Sequence, residues 1–439
     1  MTDFIVVGSG AGGATLAKEL SKKGKKVIIV ERGHTVKETE NLGTWKAGLY
    51  YERNPFWKML LKPRGAGTPL MSKEGTIIAR TIMTGGSTVF SAGCGVRSLQ
   101  REFSDLGINL EEEFAEVERE LNIAPLSEKR IMKGSRKIME SANELGYKME
   151  PMPKFVDPQK CRLCGRCVFG CKFDAKWTAL RYVNQAIENG ASLIPDTKVT
   201  KVLISNGKVR GIEGIGPDGR VEILGDTVVV AAGGINTPII LQRSGVSNAG
   251  KKLFCDLCNF TYGITEDTGL LNEINMATVD YEFHDSKGFI LSPFMDNPSI
   301  FFRYLTGRKS ITGELPRKRT LNIMTKISDE SVGKVEMDGR IEKPVIPKDR
   351  DKLENGSSIA KDILINAGAK RESIFTAKRL FGAHPGGTAA IGELVNRNLE
   401  TEIENLYVCD ASVFPKSPGL PPILTIVALS KWFSKNLTL

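Results

Sequence analysis

The chain opens on an apolar run, Phe4-Ile-Val-Val7, then a glycine-dense turn, Gly8-Ser-Gly-Ala-Gly-Gly13. A helical stretch at 14–23 and a second apolar run at 26–31 follow. Unbroken apolar runs bounded by glycine predict strands buried on both faces, so the start of the chain predicts strand, turn, helix, strand. Residues 34–79 are polar, punctuated by Gly and Pro and dotted with aromatics, and predict a covering segment rather than a core. Within 110–145 apolar residues recur three and four apart among Glu-rich stretches, the spacing of helices. Residues 178–189 predict another helix, and 191–232 predict strands alternating with turns.

The pattern changes near Gly250. Short β-prone runs at 277–283, 289–294, 300–304, 321–327 and 333–337 alternate with turns, which predicts an antiparallel sheet. A helix at 349–367 leads back to glycine-rich sequence, and 406–437 predicts a last strand, turn and helix. No internal repeat or low-complexity segment interrupts this order. The class is α/β: a Rossmann-like discontinuous domain, 1–249 with 371–439, holding an inserted antiparallel-sheet substrate domain at 250–370.

At 439 residues the chain exceeds one compact unit, and 41% hydrophobic with 26% charged residues excludes a disordered or fibrous protein. No run approaches the ~18 to 20 apolar residues a membrane helix needs, and Asp3-Phe-Ile-Val-Val reads as a core strand rather than a signal peptide. The expected compartment is the cytoplasm. The net charge of +10 comes from Lys and Arg interleaved with Asp and Glu, without the aromatic-studded basic stripe of a nucleic-acid binder. It suits a solvated surface or the docking of an acidic protein partner.

The first turn carries chemistry. Gly8, Gly10 and Gly13 form G-x-G-x-x-G between a strand and a helix, with Glu31 ending the next strand. Gly8 makes the tight turn, Gly10 lets the backbone approach a pyrophosphate, and Gly13 lets helix and strand pack closely. The helix N-terminus offers unpaired N–H groups to that anion, and Glu31 can accept from ribose hydroxyls.

Three further segments resemble the glucose-methanol-choline (GMC) family of FAD-dependent oxidoreductases. Gly85-Gly-Ser-Thr-Val-Phe-Ser91 resembles the family's flavin loop, with Ser91 where Asn is usual. The segment from Gly233 to Val246 resembles its second signature, and Asn405-Leu-Tyr-Val-Cys-Asp-Ala-Ser412 its last flavin-contacting strand, which carries Asp410. The resemblance covers nearly the whole chain. It implies FAD held by Gly8, Gly10, Ala11, Gly13, Glu31, Arg32, Gly85, Gly86, Ser87, Val199, Gly233, Asp410, Ala411 and Pro422. Gly-Ala-His384-Pro-Gly-Gly-Thr388 is similar to the family's H-x-x-G-T segment, which makes His384 the candidate base that takes the hydroxyl proton from a small-molecule alcohol. One departure stands out: in Gly419-Leu-Pro-Pro-Ile-Leu-Thr425, Pro421 occupies the position of the family's second His or Asn, and proline has no side-chain donor. His384 then acts alone, or Ser417 or a water substitutes.

Cys161-x₂-Cys164-x₂-Cys167-x₃-Cys171 has the spacing of a bacterial ferredoxin loop, with Lys172 where proline usually follows. Such a run suits an iron–sulfur cluster better than zinc, whose paired knuckles need a longer gap; structural thiols are the remaining reading. With Ala175-Lys-Trp177 it also resembles the segment of FAD-dependent glucose dehydrogenases that carry a [3Fe-4S] cluster. The cluster is expected to be [4Fe-4S] or [3Fe-4S], with the fourth ligand from Cys171, Cys255 or Cys258. Cys94 and Cys409 read as small buried hydrophobes. The expected function is an alcohol, polyol or sugar dehydrogenase that passes electrons through the cluster to an acidic protein such as a ferredoxin. The alternatives are a ferredoxin-fed reductase of a carbonyl or unsaturated substrate and a non-catalytic electron-transfer flavoprotein. Oligomerisation, substrate and cluster type are left open.

Overall fold

The computed structural model describes residues 2–35, 42, 70–294 and 317–437. The first apolar run forms the strand Thr2–Val7, with Phe4, Ile5 and Val6 fully buried. It lies inside a seven-stranded sheet, parallel to Val27–Val30 on one side and to Gly219–Val230 on the other. Ser192–Ile194 extends the parallel edge beyond Val27–Val30, and Leu406–Val408 pairs in parallel with the end of Gly219–Val230. The strand Gly219–Val230 serves two neighbourhoods: Gly225 to Val230 pairs with the first strand, and Gly219 to Leu224 pairs antiparallel with Lys208–Gly216. The helix Ala11–Lys22 turns Ala14, Leu16, Ala17 and Leu20 inward and packs against the helices Ala179–Glu188 and Ile423–Asn436. Small residues at 14 and 17 allow close approach, and each buried leucine contributes roughly 1.5 to 3 kcal/mol.

The second sheet has nine strands. At its centre Leu257–Ile264 pairs antiparallel with Thr320–Ile327, which places Cys258 opposite Lys326. Both strands are buried on two faces, and strand alternation divides their side chains. Leu321, Ile323 and Ile327 join the core beneath the helix Pro347–Asn366, whereas Cys258, Phe260, Tyr262 and Met324 belong to a separate cluster on the opposite face. On that face Cys258, Phe260 and Met324 line a cavity together with Val7 and Val30 of the first sheet.

Several expectations shift. Leu70–Met71 and Ile77–Ile78 are strands of this sheet rather than cover; most of 34–79 and the run at 300–304 lie outside the described residues. The run at 277–283 divides into the strand Thr278–Asp280 and the helix Glu282–Lys287, because three residues complete the pairing with Met149–Pro151. Strands at 70–78, 149–151 and 375–382 mean that the sheet draws on more of the chain than 250–370. Among the described residues no helix is long and apolar enough to cross a membrane.

Candidate active site between the two sheets

The expected glycine turn forms one wall of a cavity of about 820 Å³. Gly8 has φ +106°, and a Cβ there would meet the Ala231 carbonyl oxygen at 2.3 Å. A Cβ on Gly10 would meet nothing within 4 Å, so its backbone faces open space, and no side chain caps the helix that starts there. Free first-turn N–H groups beside open space fit a dinucleotide pyrophosphate. Gly12 lies outside the G-x-G-x-x-G positions, yet its Cβ would stand 1.9 Å from the Cys409 carbonyl oxygen. Only its closeness to a distant strand reveals that demand.

The two expected cofactor carboxylates are partly committed to the protein. Oε2 of Glu31 accepts from Ser9 N at 3.0 Å and Ser9 Oγ at 2.6 Å, and Oε1 accepts from Gly33 N at 2.7 Å. Oδ2 of Asp410 accepts from Gly233 N at 2.8 Å and Thr237 Oγ1 at 2.6 Å, and Oδ1 accepts from Ser412 N at 2.7 Å. Each carboxylate thus has one oxygen filled and one with spare capacity for a hydroxyl. Ala11, Arg32, Gly86, Ser87, Val199, Gly233, Ala411 and Pro422 also line the cavity. Gly13 and Gly85 stand behind its wall: Gly13 packs on the Gly8 carbonyl, and Gly85 donates its N–H to Ser9 Oγ at 3.1 Å.

His384 lines the same cavity. Its Nδ1 lies 3.0 Å from Oδ2 of Asp256, a fully buried residue. An ionised carboxylate only accepts, so Nδ1 carries the proton and Nε2 is the bare nitrogen. Burial and then the charge of Lys326 lower the His384 pKa to about 4, against the opposing pull of Asp256. Burial alone would raise the Asp256 carboxyl, but Lys326, His384 and Ser417 together hold it below its ordinary value. Nζ of Lys326 lies 2.9 Å from the same Oδ2, while Oδ1 accepts from Ser417 Oγ at 2.6 Å and Gly419 N at 3.0 Å. Ser417 Oγ also reaches Asp329, which pairs with buried Lys343 at 3.0 Å. Ser417 is therefore 1% exposed behind Asp256 and supports the pair rather than replacing the second acid/base residue. Neither Asp256 nor Lys326 was legible as a site residue; each is one charge in an apolar strand pattern.

The cysteine loop packs on the glycine-turn side of the cavity. Cys167–Phe169 is a 3₁₀ turn against Gly86–Phe90, and Val168 and Phe169 enter the cavity wall. Lys176, 1% exposed, donates to the carbonyls of Val89, Ser91 and Cys167 at 2.8, 2.7 and 3.0 Å, tying the two loops together. Cys161, Cys164, Cys167 and Cys171 are half-buried thiols, and no three metal-ligating groups among the described residues come together to hold a metal ion. Cys258 sits in the second sheet and in the cavity wall instead, and Cys255 lies just before its strand, with its carbonyl accepting from His384 N.

A dinucleotide cradle facing a histidine–aspartate pair across one cavity defines a cofactor-dependent oxidoreductase. Residues 2–258 and 320–430 match the N-terminal and C-terminal parts of the GMC oxidoreductases, and the chain belongs to that family of FAD-dependent enzymes acting on CH–OH donors. It is 30% identical to an uncharacterized protein of Methanocaldococcus jannaschii over the whole of both chains. It is 24% identical to the long-chain-alcohol oxidase FAO3 of Arabidopsis thaliana, over 99% of this chain and 67% of that one. Among solved structures it resembles pyridoxine 4-oxidase from Mesorbium loti, with TM-score 0.75 and 17% identity over 99% of both chains.

Proposed function

We propose that the protein oxidises a small-molecule alcohol at the cavity between the two sheets, with His384 as the base. The observation that carries this reading is that His384, in the wall of the cavity that also holds the dinucleotide cradle, is paired at 3.0 Å with buried Asp256. FAD, when bound, supplies the acceptor for the hydride. Asp256 fixes the ring so that Nε2 is bare and takes the hydroxyl proton. With its pKa lowered to about 4, His384 is neutral at pH 7 and ready to accept the hydroxyl proton. Phe260, Met276, Met324 and Phe381 make the substrate wall apolar, which with the long-chain-alcohol oxidase relatives favours an apolar alcohol.

The cysteine loop is the electron exit in this reading, carrying an iron–sulfur cluster on Cys161, Cys164, Cys167 and Cys171. Four thiols on one loop suit the cluster's donor chemistry, and a cubane spreads its sulfur ligands more widely than a single ion does. The placement supports it: Val168 and Phe169 touch the cavity, while exposed Lys160, Arg162, Arg166 and Lys172 interleave with the cysteines on the outer side. That basic collar suits an acidic electron-transfer protein such as a ferredoxin. Eight thiols without a disulfide suit a reducing compartment such as the cytoplasm.

The test is anaerobic mixing of the FAD-loaded protein with straight-chain primary alcohols of increasing length, followed by flavin absorbance, with iron and flavin assayed in the same sample. Bleaching that strengthens with chain length is expected; no bleaching with any alcohol would sink the oxidation reading. In Cys167→Ser, bleaching should persist while reoxidation by a ferredoxin slows; equal reoxidation, or iron-free wild-type protein prepared anaerobically, would remove the exit relay.

A further inference from the structure

Oxidising an alcohol requires more of the protein than a base. As the C–H bond breaks and hydride leaves for the oxidised flavin, the O–H proton passes to Nε2 of His384, a C=O bond forms, and negative charge gathers on the oxygen in between. A donor aimed at that oxygen accelerates the step. Pro421, in the cavity wall, offers none.

Lys326 occupies the same cavity wall. It is 1% exposed, on the cavity-facing side of Thr320–Ile327 beside Met324 and opposite Cys258. Its Nζ is held 2.9 Å from Oδ2 of Asp256, yet makes no aligned hydrogen bond among the described residues. The carboxylate it faces is already engaged: Oδ2 receives His384 Nδ1, and Oδ1 receives Ser417 Oγ and Gly419 N. A buried ammonium has three donors to place. Here the carboxylate anchors its position while its donors are left for something in the cavity.

We propose that Lys326 Nζ donates to the hydroxyl oxygen of the substrate next to His384, supplying the polar contact that Pro421 withholds. Asp256 is the positioning residue for both, since His384 and Lys326 meet at one of its oxygens. Lys326 is neither oxidised nor consumed; it holds the oxygen while its charge grows. The same arrangement gives the apolar pocket an oxyanion subsite. An aromatic or aliphatic carboxylate should occupy it in the resting enzyme, one carboxylate oxygen standing for the alkoxide.

This inference rests on alcohol oxidation, but its test does not need turnover. FAD-loaded wild type, Lys326→Met and Lys326→Arg are titrated with benzoate, and binding is read from the perturbed flavin spectrum. A charged donor's hydrogen bond corresponds to a loss of roughly 10- to 100-fold in benzoate affinity for Lys326→Met, with Lys326→Arg close to wild type. With the best alcohol, kcat should fall by roughly 10² to 10³ with a smaller change in KM. If Lys326→Met does not fold with its carboxylate unbalanced, Asp256→Asn is compared with Asp256→Asn/Lys326→Met by the same titration, which isolates the ammonium. Benzoate that fails to bind wild type, or binds equally with and without Lys326, overturns the proposal. Wild type that binds benzoate through Lys326 but oxidises no alcohol would instead overturn the alcohol reading and leave the subsite standing.

Discussion

The two halves of the site hold charge in opposite ways. On the cofactor side, Glu31 and Asp410 are carboxylates met by backbone N–H groups and hydroxyls, from Ser9, Gly33, Gly233, Thr237 and Ser412. On the substrate side, Asp256 and Asp329 are met by whole cations, Lys326 and Lys343, with the side chains of both pairs at most 1% exposed. The first arrangement shapes loops around a large anionic ligand and keeps an oxygen spare. The second compensates charge where the protein admits little water, and so sets the protonation of His384. Shape is the task of one half and proton affinity the task of the other.

Substitutions should separate these tasks. The largest effect is expected for His384→Ala, which should lower alcohol-driven flavin reduction by roughly 10² to 10⁴ while the flavin-to-protein ratio stays at the wild-type value. Co-loss of flavin would show that the halves are not independent. Gly12→Ala should do the reverse. Its Cβ would stand 1.9 Å from the Cys409 carbonyl oxygen, so strain of about 1 to 3 kcal/mol should lower Tm and flavin content, while the fraction that keeps flavin reacts at a normal rate.

A third test is with pH. His384 has a folded pKa of about 4 against an ordinary value of ~6.5, so between those values the unfolded chain binds a proton that the folded ring refuses. Stability from this residue is complete above about 6.5 and is lost as pH falls through that window, by on the order of 3 kcal/mol. The kcat/KM for alcohols should be level at neutral pH and drop only as pH nears 4. A break near 6.5 in the pH–rate profile would mean that Asp256 and Lys326 do not govern the ring.

The comparison also explains what the sequence could and could not reveal. The phosphate cradle is local, with Gly8, Gly10 and Gly13 set within one turn by backbone geometry, so residue type and spacing are enough. His384 was legible because its flanking glycines and threonine form a segment with a known resemblance. Asp256 and Lys326 are 70 residues apart and meet only because two antiparallel strands pair Cys258 with Lys326. A buried charge in an apolar run reads as an edge or an error until its partner is known. The same physics misplaced Ser417, whose hydroxyl sits behind the carboxylate, and residues 70–78, which supply two sheet strands too short to show a period.

Ser417 touches both Asp256 and Asp329, and each of these faces its own lysine. Losing one member of such a buried pair strands its partner's charge at about 3 to 5 kcal/mol, a large share of a domain's whole stability. Lineages of this enzyme therefore have few single-step routes away from the arrangement. The positions 256, 326, 329, 343 and 417 should pass through evolution as one inherited block, kept whole or replaced together, while the apolar wall around them is free to drift from one substrate to another.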